Sequence, residues 1–506
     1  MLATVGQAPT HFVPAFVIAV CVLIWLLDAA AARARPTASA FHAGWWFGFG
    51  YFALGLQWVS SPFSTDAALG PLWGAAAVLA LAAVLALFWG AGAALAIRAW
   101  TSDARRIAVF AAALGASEWL RGHVLTGFPW LLPGYVWTPG GGVSQAAVLG
   151  GIYGLSVLTL LCSAAPALLA DGARRHIGAL IAASAALALT WSWGSYRLAA
   201  AESDDDAARP LVRVADAGLS QADKWRRAPN QERRVLERYI AASALDQGDA
   251  DIVIWPEGAI PVVNFYPLEN ERFVEQLAAA VGDRVLIAGF TRRELRAGAA
   301  VHFNSAVVID AARTTPRVGA IYDKAHLVPF GEYIPFWQVL GGLNIAPMQR
   351  IGAGFEPGRG PSRIDVPGAP SAAVLICYEA IFPGVTPGGE ARPAWLINVS
   401  NDAWFGGGAG PRQHFEMARY RALETGLPLA RAASGGVSAI VDGYGRTIAE
   451  TGRGAGYAEA RLPSALPETP YARWRELPLA LLLLFLAGIR FAPIAALRTQ
   501  KRARLP

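Results

Sequence analysis

The stretch "VLICYEAIFP", Val374 to Pro383, ends an apolar run on a lone cysteine followed at once by Tyr-Glu. A short, near-continuous apolar run of this kind reads as a strand buried on both faces. Cys377 at its exit has two readings. It is a packed small hydrophobe, since free cysteine is among the most buried residue types, or a nucleophile presented where a strand gives way to a loop. What else the chain places nearby decides between them.

Working outward, strand-like runs alternate with helical ones through a block of ordinary globular composition, about 205–465. "LVRVADA" (211–217) is followed by the helical "QERRVLERYIAASALD" (231–246). "DIVIWPE" (251–257) precedes the helical "ERFVEQLAAAVG" (271–282), then "RVLIAGF" (284–290). "FNSAVVID" (303–310), "AAVLICYE" (372–379), "AWLINVSN" (394–401) and "VSAIVDGYGRTIAET" (437–451) complete the set. This alternation predicts a layered α/β domain. The acidic run "ESDDDAARP" opens it as a boundary.

The rest of the chain is different in kind. The whole is 54% hydrophobic and 16% charged, against roughly 25% charged in a typical soluble protein. Apolar stretches near the ~20 residues that span a bilayer occur at about 12–31, 42–60, 73–97, 106–122, 145–170, 177–195 and 476–494. The expected organisation is a bundle of about six helices over 1–200, the α/β domain over 205–465, and a last helix with a basic tail over 472–506. Arg33 and Arg35, then Arg98, Arg105 and Arg106, then Arg174 and Arg175, and finally Arg498, Lys501, Arg502 and Arg504 all fall on one side. The loops at 61–72 and 124–143 carry no Lys or Arg. By the positive-inside rule the basic side is cytoplasmic, so the α/β domain is expected outside it, periplasmic in a two-membrane bacterium. Seven segments are more than an anchor requires, which implies that the bundle handles something.

Motifs exclude several chemistries. Of three cysteines, Cys21 and Cys162 sit inside apolar runs, so no disulfide framework is implied. There is no C-x-x-C, no P-loop and no G-x-S-x-G, and the seven histidines lack zinc-ligand spacing. No metal or cofactor is expected.

Three residues offer one site. Glu257 leaves the strand "DIVIW", where partial desolvation would raise its pKa and suit it as a general base; the plain alternative is a solvated loop-edge carboxylate. Lys324, in "YDKAHLVPFGEYIP" (322–335), could hold a developing oxyanion or be a surface lysine paired with Asp323. It is one of only two lysines in 205–465, with Lys224. Cys377 is only a few per cent thiolate at neutral pH unless a base takes its proton. His326 and His414 leave open a Cys-His arrangement.

The order Glu, Lys, Cys within "WPEGAIP", "YDKAHLVPFGEYIP" and "LICYEAIFP" resembles the nitrilase superfamily, and most closely its membrane-bound branch, the apolipoprotein N-acyltransferases. The resemblance spans nearly the whole chain. It implies an α-β-β-α sandwich carried on a polytopic helical membrane bundle. It implies that Glu257 is the general base, Lys324 the intermediate-stabilising lysine and Cys377 the nucleophile. Glu332 in "PFGEY" is similar to a second essential glutamate, Tyr378 and Glu379 to the Tyr-Glu after the nucleophile, and Trp225 in "QADKW" to a tryptophan on an arm near the substrate entrance. "NVSNDAWFG" (398–406) resembles a family signature expected as a loop beside the cleft.

The implied reaction moves an acyl chain from a membrane phospholipid, through a thioester on the cysteine, to the α-amine of a diacylglyceryl-cysteine on an apolipoprotein. The implied enzyme is a monomer of the bacterial inner membrane. Rival readings are a membrane-tethered amidase or nitrilase-type hydrolase with the same triad and, more distantly, a non-catalytic scaffold. Two departures stand out. The first strand reads "VADAGLSQ" where the family carries Gln-x-Asn. Seven membrane segments are counted where eight are common, so the expectation is that one N-terminal helix is missing.

Overall fold

The computed structural model describes residues 1–65, 70–201, 206–220, 231–244, 248–265, 271–296, 298–312, 316–335, 354–452 and 454–491. Trp225 and the basic tail from Arg498 onward lie outside the described residues.

The first part of the chain is helical: α1 (Val13–Ala31), α2 (Pro36–Gly55), α3 (Gly70–Arg98), α4 (Arg105–Arg121), α5 (Ala147–Ala164) and α6 (Ala173–Ala199). Among the described residues four helices are long and apolar enough to cross a membrane, Val13–Ala31, Gly70–Arg98, Val143–Asp171 and Arg174–Ala199. The other segments read as spans from the sequence also form helices in the right places, but each falls short of that measure. The second, α2, starts at Pro36, so its first turns are less apolar than the stretch read at 42–60, and α4 has 17 residues. The C-terminal run is a 12-residue helix, Leu477–Gly488, continued by a 3₁₀ turn to Phe491. Large apolar side chains of this part of the molecule face outward, among them Leu72, Leu189 and Leu484, each at least 70% exposed. Exposed apolar surface on long apolar helices is what a bilayer covers. Helices α2 and α3 cross closely because glycines face them: a Cβ on Gly44 would sit 2.5 Å from the Trp89 carbonyl oxygen.

The second part is a four-layer sandwich. One seven-stranded sheet runs in the order β13-β1-β2-β4-β5-β6, with β3 paired to β4. It comprises β1 (Leu211–Ala217), β2 (Ile252–Ile254), β3 (Ile260–Phe265), β4 (Val285–Arg296), β5 (Ala299–Asp310), β6 (Arg317–Asp323) and β13 (Ala455–Arg461). The six-stranded sheet runs β12-β11-β10-β9-β8-β7, from β7 (Arg363–Ile364), β8 (Ala372–Ile376), β9 (Trp395–Asn401), β10 (Leu429–Ser434), β11 (Ser438–Val441) and β12 (Thr447–Thr451). Period-two alternation sends one set of each strand's residues inward. Val212, Ile254 and Ile287 meet Val374, Ile376 and Val399 between the sheets. The opposite face of the first sheet packs on α7 (Gln231–Ser243) and α8 (Glu271–Val281) through Tyr239 and Leu277. The opposite face of the second packs on α9 (Gly410–Thr425) through Phe415, Ala418 and Ala422. This is the α-β-β-α order, with both faces of each sheet buried as the apolar runs foretold.

Helix α9 also joins the two parts. Its Tyr420 hydroxyl donates to the Trp137 carbonyl at 2.6 Å, and its Arg419 guanidinium donates to the Pro139 carbonyl at 2.6 Å. In return the Ile152 N–H donates to Glu424 at 2.7 Å. The helix is consequently buried all round rather than amphipathic.

Candidate active site

Strand β8 stops at Ile376 because the chain turns sharply. Cys377 has a φ of +48°, a region non-glycine residues rarely occupy and one that marks sites where surroundings hold the backbone. Three groups hold it. Glu379 reaches back from the 3₁₀ turn Cys377–Ile381 to accept the Ile376 N–H at 2.7 Å. The His414 Nε2 meets the Cys377 carbonyl at 3.1 Å. The Tyr378 hydroxyl donates to the Gly127 carbonyl at 3.2 Å, a contact with the helical part.

Strand ends from both sheets converge on this turn. Glu257 follows β2, Lys324 follows β6, and Asn401 ends β9. The Cys377 thiol lies within electrostatic reach of the Glu257 carboxylate. Glu257 Oε1 lies 3.5 Å from Lys324 Nζ and accepts from Asn304 Nδ2 at 2.6 Å, and its Oε2 accepts from the Asn401 N–H at 2.8 Å. Lys324, 1% exposed, also lies 2.9 Å from Glu332. Glu332 reaches it because "VPFGEY" folds back, with the Glu332 N–H donating to the Val328 carbonyl at 2.9 Å. The Val328 N–H in turn donates to the Glu332 side chain at 2.8 Å.

Glu257, Lys324, Cys377 and Glu332 thus form one buried cluster. Lys324 is not paired with Asp323, which accepts instead from Arg292 at 2.7 and 3.0 Å. Tyr378 and Glu379 frame the cluster rather than enter it. Glu379 accepts from the Tyr322 hydroxyl at 2.9 Å and from the Ala325 and His326 N–H groups at 2.8 and 3.1 Å, which binds the Lys324 loop to the Cys377 turn.

The electrostatics run against one expectation. Burial pushes Glu257 upward, as anticipated, but the Lys324 ammonium, the Asn304 amide, the thiol and the Asn401 N–H outweigh it and hold the carboxyl below its ordinary value. Burial and the Glu257 charge push the Cys377 thiol up, and Lys324 offsets only part of this. Burial would lower Lys324, but the Glu332 and Glu257 carboxylates hold it above its usual value. The resting site is therefore a thiol beside a carboxylate and a charged ammonium.

The histidines are placed differently from a Cys-His pair. His326 stacks on Phe382 with ring centroids 3.9 Å apart. His414 meets the cysteine's carbonyl rather than its thiol. Behind it, Nδ1 lies 2.9 Å from Asp402, and Asp402 accepts from Arg431 at 2.6 Å, all three wholly buried. Of "NVSNDAWFG", the first part is the end of β9 and only Asp402–Phe405 is a turn.

Asn304 was not singled out from the sequence. Its one amide nitrogen donates to Glu257 at 2.6 Å and to Glu332 at 2.7 Å. Its signal is faint: a lone amide, next to serine, just before the apolar run "AVVI" of β5. Asn304→Ala is expected to lower the acylation rate by roughly ten- to a hundredfold, since hydrogen bonds to charged groups contribute ~1.5–3 kcal/mol. Single-turnover kinetics would check this; a wild-type rate would mean that Lys324 alone spaces the two carboxylates.

Residues 1–165 match the model of the apolipoprotein N-acyltransferase N-terminal domain, and residues 213–470 match that of the carbon-nitrogen hydrolases. Apolipoprotein N-acyltransferase of Bradyrhizobium diazoefficiens is 40% identical, over 100% of this chain and 94% of its own. The chain belongs to the apolipoprotein N-acyltransferase family. The like-named proteins of Rhodopseudomonas palustris and Brucella melitensis biotype 1 are 37% and 38% identical, over 95% and 96% of this chain and 91% and 93% of theirs. The family makes the chain an enzyme of the carbon-nitrogen hydrolase superfamily, with the thiol, carboxylate and ammonium in one cluster. The apolar helical part it shares with those acyltransferases is what a soluble hydrolase would lack.

Proposed function

We propose that the enzyme transfers an acyl chain from a membrane phospholipid to the α-amine of a diacylglyceryl-cysteine at an apolipoprotein's N-terminus, by way of a thioester on Cys377. The observation that carries this is the Cys377–Glu257–Lys324–Glu332 cluster set in a chain of this family over its full length. Glu257 takes the thiol proton as sulfur attacks the ester carbonyl. Lys324 and the Tyr378 backbone N–H hold the oxyanion, while Glu332 and Asn304 hold Lys324 and Glu257 in place. Collapse of the intermediate expels the lysophospholipid, whose oxygen takes the proton from Glu257. The lipoprotein amine then attacks the thioester and gives its proton to Glu257, and the expelled Cys377 sulfur takes that proton back to restore the thiol and the carboxylate. Trp225 belongs to the substrate entrance in this reading.

The site lies on the extracytoplasmic side of a bacterial inner membrane in this reading, which the one-sided basic loops support, so that both lipids reach it from the outer leaflet. A single chain supplies every group, consistent with a monomer. No step calls for a metal or cofactor.

Detergent-solubilised enzyme given phospholipid and a synthetic diacylglyceryl-cysteine peptide should yield N-acylated peptide and lysophospholipid in equal amounts. Release of free fatty acid with the peptide unmodified would overturn the acyltransfer reading in favour of a hydrolase. Cys21→Ala and Cys162→Ala should leave the yield unchanged.

A further inference from the structure

An ion pair is buried in the helical part with no place in the chemistry just described. Glu118 and Arg121, one helical turn apart at the end of α4, are 0% and 1% exposed. Arg121 Nε and Nη2 donate to the two Glu118 oxygens at 2.8 and 2.6 Å. Trp89 Nε1 donates to the same carboxylate at 3.0 Å, and the guanidinium lies over the Phe52 ring at 5.0 Å. Buried ion pairs seldom raise stability over well-packed apolar residues, so their presence in an apolar bundle calls for another reason.

The remaining guanidinium nitrogen supplies one. Arg121 Nη1 donates to the Trp130 carbonyl at 3.0 Å and also to the Phe128 carbonyl. The segment it grips is strained, with Leu125, Thr126 and Leu131 all at positive φ, so it needs outside restraint. That segment clamps the nucleophile turn from two sides. Its Gly127 carbonyl takes the Tyr378 hydroxyl. Its Trp130 ring stacks on His414 at 5.7 Å between centroids and donates to Gln413 at 2.8 Å, while His414 holds the Cys377 carbonyl.

We infer that Arg121 is a positioning residue for the reaction: through the 127–130 segment it fixes the Cys377 turn, so the bundle sets the nucleophile's geometry as well as receiving lipid. The inference rests on the proposed role of Cys377 and goes beyond it. A lysine at 121 keeps the charge opposite Glu118 but cannot span a carboxylate and two carbonyls at once.

The test is the single-turnover rate of Cys377 acylation by phospholipid, followed by intact mass, in wild type, Arg121→Lys and Arg106→Lys. Arg106 is the matched control, at the other end of the same helix, equally buried, and 3.2 Å from Asp28. Arg121→Lys should cut the maximal rate by about a hundredfold, the scale of a roughly 1 Å misplacement, with the half-saturating lipid concentration unchanged. Arg106→Lys should acylate at the wild-type rate. Should Arg121→Lys fail to fold, the neutral pair Glu118→Gln/Arg121→Gln, which leaves no unpaired buried charge, should show the same loss. A wild-type rate in a folded Arg121 variant would overturn the inference. So would equal losses in the 121 and 106 variants, which would mean general destabilisation. Absence of any acyl-enzyme in wild type would instead overturn the proposed role of Cys377, and this inference with it.

Discussion

Lys324→Met is expected to reduce acyl transfer by about two to three orders of magnitude, because one oxyanion donor is worth ~2.7–4 kcal/mol in the transition state. The ammonium also holds the site together. Lys324 is the cation between Glu257 and Glu332, at 3.5 and 2.9 Å. Methionine leaves two buried carboxylates facing each other across Asn304, and removing one partner of a buried ion pair typically costs about 3–5 kcal/mol. The variant should therefore also unfold at lower temperature. Thermal unfolding beside single-turnover kinetics measures both. An active, fully stable Lys324→Met enzyme would mean that the ammonium neither holds the oxyanion nor organises the site.

Glu257→Gln is expected to remove acyl-enzyme formation almost wholly while leaving the fold intact. The amide can still accept the Asn401 N–H, but it cannot take the thiol proton, and general-base loss typically costs about 10²–10⁴ in rate. The wild-type pH profile follows from the same group. Burial opposes ionisation of Glu257, but Lys324 and the surrounding donors prevail, so its carboxyl is depressed below its ordinary range. The carboxylate is the active form, so acylation should stay level across neutral pH and fall only as pH drops through that depressed value. Stability moves the same way: the contribution is present above the unfolded value, about 4.3, and is lost as pH falls through the folded one. A break in the neutral range would mean that a group other than Glu257 gates acylation.

Much of this site was legible because it lies on strand exits. "DIVIWPE" and "VLICYE" announce buried strands that stop at a chemical residue, and period-two burial makes the stop visible. Other features left no local trace. The apolar run "RVLIAGF" predicts a strand ending at Phe290, but β4 runs to Arg296, since its charged end is stabilised by twelve paired positions along β5 rather than by burial. β3 and β6 were not read as strands: "RVGAIYD" carries alternating exposure on a sheet edge. The depressed Glu257 could not be foreseen because its four partners come from Lys324, Asn304, Cys377 and Asn401, which only tertiary folding assembles. The same holds for His414, which is far from Cys377 in sequence and touches its backbone rather than its thiol.

The most direct measurement is the intact mass of the purified enzyme after incubation with phospholipid alone, wild type beside Cys377→Ala. The account predicts an acyl-sized increase in wild type that hydroxylamine removes and that the mutant lacks. An acyl adduct that persists in Cys377→Ala, or none in a folded wild type that still acylates peptide, would contradict it.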